Sequence, residues 1–216
     1  MRSLGFLALL LVALSSACTR TPTAPTPWTI DRLREQLAIS NLNNAALGAS
    51  GRLTRWQVPI LVNTNGIARA EIAVSHYEQW TGGVVRFTRV TGTPANGLIF
   101  HEGGAGGHES DQSCGSVFDA QAAGSPATFR WDQTRAIGGA YAIHLGTESC
   151  NDSTAGAYPS AVAEHMLAHA LGILEHFDGF QNRGGLDDPR LLAVVYNLYA
   201  NPPGAAANEL TIWGAR

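Results

Sequence analysis

The sequence predicts a single α+β domain built on one mixed β-sheet. Its 216 residues suffice for one domain with a substantial core but are too few for two. Segments of strand composition and segments of helical periodicity follow one another in the order strand, helix, several strands and a late helix. No segment repeats another, so a repeat architecture is excluded.

The N-terminus has the organisation of a secretory signal. Residues 1–17 place Arg2 ahead of a short apolar run and end in Ser-Ser-Ala, directly before Cys18. The run is shorter than the roughly 20 apolar residues of a transmembrane helix. Cys18 after a small residue resembles the lipobox of bacterial lipoproteins, but Ser15 stands where leucine is usual. Lipidation of Cys18 and ordinary cleavage before it are both open, and either predicts an exported protein, held in the bacterial envelope or secreted.

Residues 18–27 predict an extended tether, because they are rich in Thr and Pro and contain no carboxylate. The folded domain then spans residues 28–216 and contains Cys114 and Cys150. In an oxidising compartment this even pair predicts one disulfide, with two free thiols as the alternative.

The first strand and helix of the domain follow from local pattern. Residues 55–62 have strand composition and end at turn-forming residues, whereas residues 67–80 carry apolar side chains at helical spacing and end at Thr-Gly-Gly. A Gly-rich loop is predicted over Gly103–Gly115 and a turn-rich stretch over 146–159. Further strands are predicted at 84–90, 98–102, 127–131 and 140–145.

The late helix carries the strongest functional signal in the chain. It is predicted from about residue 160 to 171, with Pro159 ahead of its first turn and Gly172 as its stop. His165 and His169 are four residues apart, so their imidazoles project from one face and can offer two nitrogens to a zinc ion. Alone, such a pair is more typical of core histidines bonded to the backbone.

A third metal ligand is available after the helix, from a different direction. Gly172 allows a left-handed turn, and Glu175 and His176 follow within four residues. Three protein ligands and an open fourth position are typical of catalytic zinc, because the open position holds a water molecule. His176 is preferred as the third ligand because neutral imidazole is a common zinc ligand, and Glu175 stays open as the alternative.

Composition and charge exclude a nucleic-acid partner. All fourteen basic residues are arginine, the formal net charge is -3, and the basic residues form no cluster. Charged residues make up 14% of the chain, which contains 24 glycines. This composition fits an exported, loop-rich domain, which we expect to be monomeric.

Residues 162–177, VAEHMLAHALGILEHF, resemble the active-site helix of metzincin zinc metallopeptidases, especially the matrixin-like secreted enzymes of bacteria, whose pattern is H-E-x-x-H-x-x-G-x-x-H. His165, His169 and Gly172 match that pattern in type and spacing. Residues 56–66 and 194–205 resemble, more weakly, the first strand and the closing helix of the family.

The resemblance implies a zincin-like fold, in which a mixed twisted sheet accompanies the active-site helix and a short C-terminal helical part. It implies one zinc ion and hydrolysis of peptide bonds in a peptide or protein substrate through a zinc-activated water. It also implies that residues 140–145 form the edge strand, to which the substrate adds as a further strand.

The chain departs from the family at the general base. The glutamate that follows the first histidine is replaced by Met166, whose thioether cannot accept a proton. Glu164 lies about 120° around the helix from the bisector of the two histidines, so its use as base needs an altered metal position. If His176 binds the metal, Glu175 is free to act as a substitute base.

Further positions differ from the usual pattern. Glu175 occupies the tenth place after His165 and His176 comes one residue late, which is similar to the snapalysin branch of zincins. The family's methionine turn would fall at Gly184–Pro189, where Asp187 replaces the methionine.

Two sets of histidines lie outside the helix. We expect a solvated loop at 101–119, and a structural metal is the alternative, because matrixin-like proteins often hold structural metals in such a loop. The loop residues concerned are His101, Glu102, His108, Glu109 and Asp111. We expect His76 on a helix surface and His144 in a strand.

Three functions are compatible with these residues. The first is an exported zinc metalloendopeptidase with His165, His169 and His176 as ligands. The second is a zinc-binding pseudopeptidase that serves as a peptide-binding surface lipoprotein. The third is a structural envelope lipoprotein without metal.

Overall fold

The computed structural model describes residues 28–103, 115–120, 129–146, 161–180 and 188–214, which form an α+β fold. The helices are α1 (Ile30–Leu37), α2 (Ala68–Trp80), α3 (Ala161–Ala170) and α4 (Pro189–Ala200). The strands are β1 (Ile60–Asn63), β2 (Phe87–Arg89), β3 (Gly97–Glu102), β4 (Gly115–Asp119), β5 (Arg130–Trp131), β6 (Ile137–Gly138) and β7 (Ala140–Leu145). The predicted α+β class with a mixed sheet is confirmed.

The main sheet has five strands in the order β2-β1-β3-β7-β4. The first four run parallel, and β4 is antiparallel to β7, from Gly115 opposite Leu145 to Asp119 opposite Tyr141. Strands β5 and β6 form a separate antiparallel pair.

The prediction that residues 140–145 form the edge strand is wrong. β7 lies between β3 and β4, so the outer strands of the described sheet are β4, next to β7, and β2 at the opposite edge. Residues 115–119, where the sequence predicted only the end of a Gly-rich loop, form β4 and pair antiparallel with β7. The residues of β4, GSVFD, do not alternate between apolar and polar side chains, and all five are half-buried. The periodicity that identifies a strand from sequence is therefore missing here.

Local periodicity located two helices well. α2 begins one residue after its predicted start, and Ala70, Val74 and Tyr77 are fully buried along its apolar face. α3 occupies the centre of the predicted late helix and contacts α2, β7 and β4. α4, which packs against α1, begins after Asp188, whose side chain accepts a hydrogen bond from the Arg190 amide at 2.8 Å.

Several predictions lie outside the described residues. They concern the signal and tether at 1–27, the disulfide between Cys114 and Cys150, the loop residues His108, Glu109 and Asp111, and the turn residue Asp187. Among the described helices, none is both long enough and apolar enough to cross a membrane.

Candidate metal centre

The C-terminal end of α3 is held by side chains from other elements. The Trp56 indole nitrogen donates to the Ala170 carbonyl at 2.8 Å, and the Tyr199 hydroxyl donates to the Leu171 carbonyl at 3.0 Å. These bonds satisfy carbonyls that a helix end leaves without internal partners. The helix turn that carries His169 is therefore fixed against the core.

Gly172 turns the chain out of α3 at a φ of +104°, in the left-handed region. The Gly172 amide donates to the His169 carbonyl at 2.9 Å, and the Ile173 amide donates to the Ala168 carbonyl at 3.1 Å. A Cβ at Gly172 would lie 3.1 Å from Asn41 Nδ2 and 3.2 Å from the Thr54 carbonyl oxygen. The positive φ therefore favours glycine here, and a larger residue would also make close contacts with Asn41 and Thr54.

Asn41 ties this turn to two other parts of the chain. Its Nδ2 donates to the carbonyls of Thr54 and Gly172, both at 2.8 Å, and its Oδ1 accepts from the Thr54 amide at 2.9 Å. The side chain is fully buried. The exit of the helix is thus held by an amide from the segment that follows α1.

The segment after α1 also holds the loop that follows Gly172. The Leu174 amide donates to the Ser40 carbonyl at 3.1 Å. Asn44 Nδ2 donates to Glu175 Oε1 at 3.0 Å. These contacts fix residues 174 and 175, and so the position of His176 that follows.

The three histidines meet at their Nε2 atoms. The separations are 3.1 Å for His165 and His169, 3.0 Å for His165 and His176, and 3.2 Å for His169 and His176. Among the described residues this is the group that could hold a metal ion, and it contains no carboxylate.

The three imidazole nitrogens form a donor set of the kind that zinc prefers. Tetrahedral zinc with Zn–N bonds of about 2.0–2.1 Å separates its nitrogens by about 3.3–3.4 Å, within a few tenths of an ångström of these distances. His169 Nδ1 lies 2.7 Å from the Ile173 carbonyl oxygen, which fixes the proton on Nδ1 and leaves Nε2 as the lone-pair donor.

The imidazoles of this cluster are poor bases. Burial, together with the neighbouring His169 and His176, lowers the pKa of His165 to about 3. Burial lowers the pKa of His169 to about 4, against the opposing effect of its hydrogen bond to Ile173. Partial desolvation also lowers the pKa of His176, which Glu175 partly offsets. At neutral pH the three rings are uncharged, the form that binds metals.

Phe180 was not recognised from the sequence, yet it lies against all three rings. Its centroid is 4.6 Å from that of His165, 4.9 Å from His169 and 5.2 Å from His176. The side chain is 1% exposed. A single apolar residue four positions after His176 gives no periodic signal in the sequence.

The two glutamates considered as bases are engaged elsewhere. Glu164 is buried, and its Oε1 lies 2.7 Å from His76 Nδ1, in a contact between α3 and α2. Glu175 is exposed and bonds Asn44. Neither belongs to the metal-binding group. The expectation for His76 as a simple surface residue is therefore incomplete, because it also pairs with a carboxylate from α3.

Met166, which directly follows His165, packs against β4. It is buried, and a Cβ built on Gly115 would lie 2.7 Å from its Cγ and 3.2 Å from its sulfur. The thioether therefore fills the space between α3 and the beginning of β4.

The prediction of a loop over 101–119 is wrong at both ends, because 101–102 belong to β3 and 115–119 form β4. The described residues of this range form no second metal-binding group. His101 stacks on His144, its partner across β3 and β7, with ring centroids 4.9 Å apart, and Glu102 pairs with Arg69. His144 is a strand residue, as expected.

Comparisons of the chain with protein-family models and with curated proteins find no match.

Proposed function

We propose that this chain is an exported zinc metalloendopeptidase-like protein of the metzincin type. The observation that carries the proposal is the convergence of three neutral imidazoles from a single helix and the loop that follows it. The H-x-x-x-H-x-x-G spacing, the glycine turn at Gly172 and the position of α3 beside the sheet support a zincin-like fold.

A zinc ion held by His165, His169 and His176 would supply Lewis-acid activation of a water molecule and of the substrate carbonyl. The chain contributes the rest of the site. His165, His169 and His176 present uncharged Nε2 atoms, and the Ile173 carbonyl orients His169. β4 offers an outer strand to which an extended peptide can add, next to the helix that carries two of the ligands.

The missing general base sets the expected rate. Glu175 is the substitute available in sequence, but its carboxylate accepts a hydrogen bond from Asn44. General acid–base catalysis typically raises the rate by 10²–10⁴-fold. We therefore propose a peptidase slower, by about that factor, than metzincin enzymes that have the glutamate.

A second candidate is a zinc-binding pseudopeptidase that presents peptide-binding surface without cleavage. The observation that favours it is Met166, which packs against Gly115 where a base would be required, while Glu164 pairs with His76. This candidate shares the zinc site and the peptide-binding strand β4 with the first, and differs only in that it does not cleave the bound peptide.

The test begins with metal analysis of the purified chain and of His169→Ala, with His101→Ala as a matched histidine variant outside the cluster. Stoichiometric zinc in the wild type and in His101→Ala, but not in His169→Ala, supports both candidates. Absence of zinc from the purified wild-type chain would contradict both candidates and leave a structural envelope lipoprotein without metal. Chelator-sensitive cleavage of a general protein substrate, abolished in His169→Ala, then selects the peptidase over the pseudopeptidase.

We propose the same location for either candidate. Residues 1–17 direct export, and Cys18 either carries a lipid or is the first residue after ordinary cleavage. The mass of the mature N-terminal peptide from exporting cells distinguishes a lipidated from an unmodified Cys18.

A further inference from the structure

We infer that Phe180 is a positioning residue of the metal centre: its ring packs against the three histidine rings and holds their orientation. The inference rests on the proposed zinc binding and deepens it. Phe180 is in ring contact with His165, His169 and His176 together, at centroid distances of 4.6–5.2 Å.

The turn that carries Phe180 is rigid. Phe177 and Phe180 exchange backbone hydrogen bonds, with N···O distances of 3.0 and 2.7 Å. Gly179 has a φ of +104°, and a Cβ there would lie 2.9 Å from Asp188 Oδ1. Arg190 joins this turn to the beginning of α4 by pairing with both Asp178 and Asp188. These hydrogen bonds and ion pairs therefore hold the turn that places the Phe180 ring against the histidines.

The ring restricts the histidines in two ways. Because it packs on all three imidazoles, rotation of any of them about χ2 would break an aromatic contact. Because Phe180 is buried, water is excluded from that side of the cluster, so a fourth ligand must approach from another side. The apolar environment around metal ligands also governs the local dielectric and the strength of binding.

Phe177 provides a matched control on the same turn. It has the same side chain, is 7% exposed, and stacks on Trp28 at a centroid distance of 5.5 Å. It is in ring contact with Phe180 at 5.6 Å, and no ring contact joins it to the described metal-binding histidines. Truncation of either phenylalanine removes a buried ring, but of the two only the Phe180 ring packs against the rings of the ligands.

The experiment measures Co²⁺ and Zn²⁺ affinity at pH 7, by visible absorption of bound Co²⁺ and by competition with a chromophoric chelator. We expect Phe180→Ala to weaken both metals by about 10–100-fold and to alter the Co²⁺ spectrum, the effect typical of residues that orient ligands. Phe177→Ala should bind within about threefold of the wild type, while circular dichroism monitors folding of both.

If Phe180→Ala does not fold, Phe180→Val replaces it, with an expected loss of about tenfold. Equal metal affinity in the wild type and the Phe180 variants overturns the inference, as does an equal loss in Phe177→Ala. A wild-type chain that binds neither metal overturns the proposed function itself, which is a different result from binding that is insensitive to Phe180.

Discussion

Replacement of Asn41 by alanine should destabilise the fold and loosen the metal centre together. The substitution removes three hydrogen bonds of 2.8–2.9 Å from a fully buried position. It leaves the Thr54 carbonyl, the Thr54 amide and the Gly172 carbonyl without these partners. The lost bonds join Asn41 to residues 13 and 131 positions away in sequence.

The magnitude follows from the bonds lost. At about 1 kcal/mol for each buried hydrogen bond, three bonds give a loss of about 3 kcal/mol in the free energy of unfolding. For a domain of 150–250 residues, each kcal/mol lowers the melting temperature by about 2–4 °C, so we expect a decrease of about 6–12 °C. Zinc affinity should also fall, because the released Gly172 turn leads to His176.

Thermal unfolding and zinc titration of Asn41→Ala are compared with two variants. Asn43→Ala makes the same chemical change at an exposed position two residues away and should melt within about 1 °C of the wild type. Asn41→Asp keeps an acceptor for the Thr54 amide but turns a carboxylate oxygen toward two carbonyls, so it should destabilise at least as strongly as alanine. A melting temperature for Asn41→Ala equal to that of Asn43→Ala would refute the reasoning.

Three further predictions concern the helix and its turn. Met166→Glu should raise peptide hydrolysis by about 10²–10⁴-fold over the wild type, whereas the control Met166→Gln should stay near the wild-type rate because an amide cannot accept the proton. No increase in zinc-loaded Met166→Glu contradicts the assigned position of the base. Gly172→Ala should lower the free energy of unfolding by about 2 kcal/mol or more in urea, because alanine is strained at this φ and crowds Asn41. The metal-free protein should lose stability as pH falls from about 6.5 toward 3–4, because the histidines of the unfolded chain bind protons at a higher pH than the buried His165 and His169. A melting temperature that does not change with pH across this range would contradict the prediction. So would a His165→Gln variant whose melting temperature depends on pH as steeply as that of the wild type.

The helical part of the site could be predicted because it is local. His165 and His169 lie on one face by helix geometry alone, and Gly172 marks the helix end by its conformational freedom. The preference for His176 over Glu175 agrees with the described cluster, in which the imidazole joins the others and the carboxylate bonds Asn44.

The remaining features depend on contacts between distant segments. α1 was not predicted, although Thr29 caps it, and its following segment holds the metal-site loop through Asn41. β4 carries no alternating pattern and is defined by pairing with β7. The pairing of Glu164 with His76 joins residues 88 positions apart, so neither position alone suggests it.

The hydrogen bond between Asn41 and Gly172 joins residues separated by 131 positions. During synthesis, the segment after α1 therefore lacks this partner until most of the domain has been made. The contacts of Phe180 and Tyr199 with the metal-site region come still later in the chain, so a partly synthesised chain has no assembled cluster. Under the proposed metal binding, the ion would accordingly be bound only after nearly the whole chain has folded.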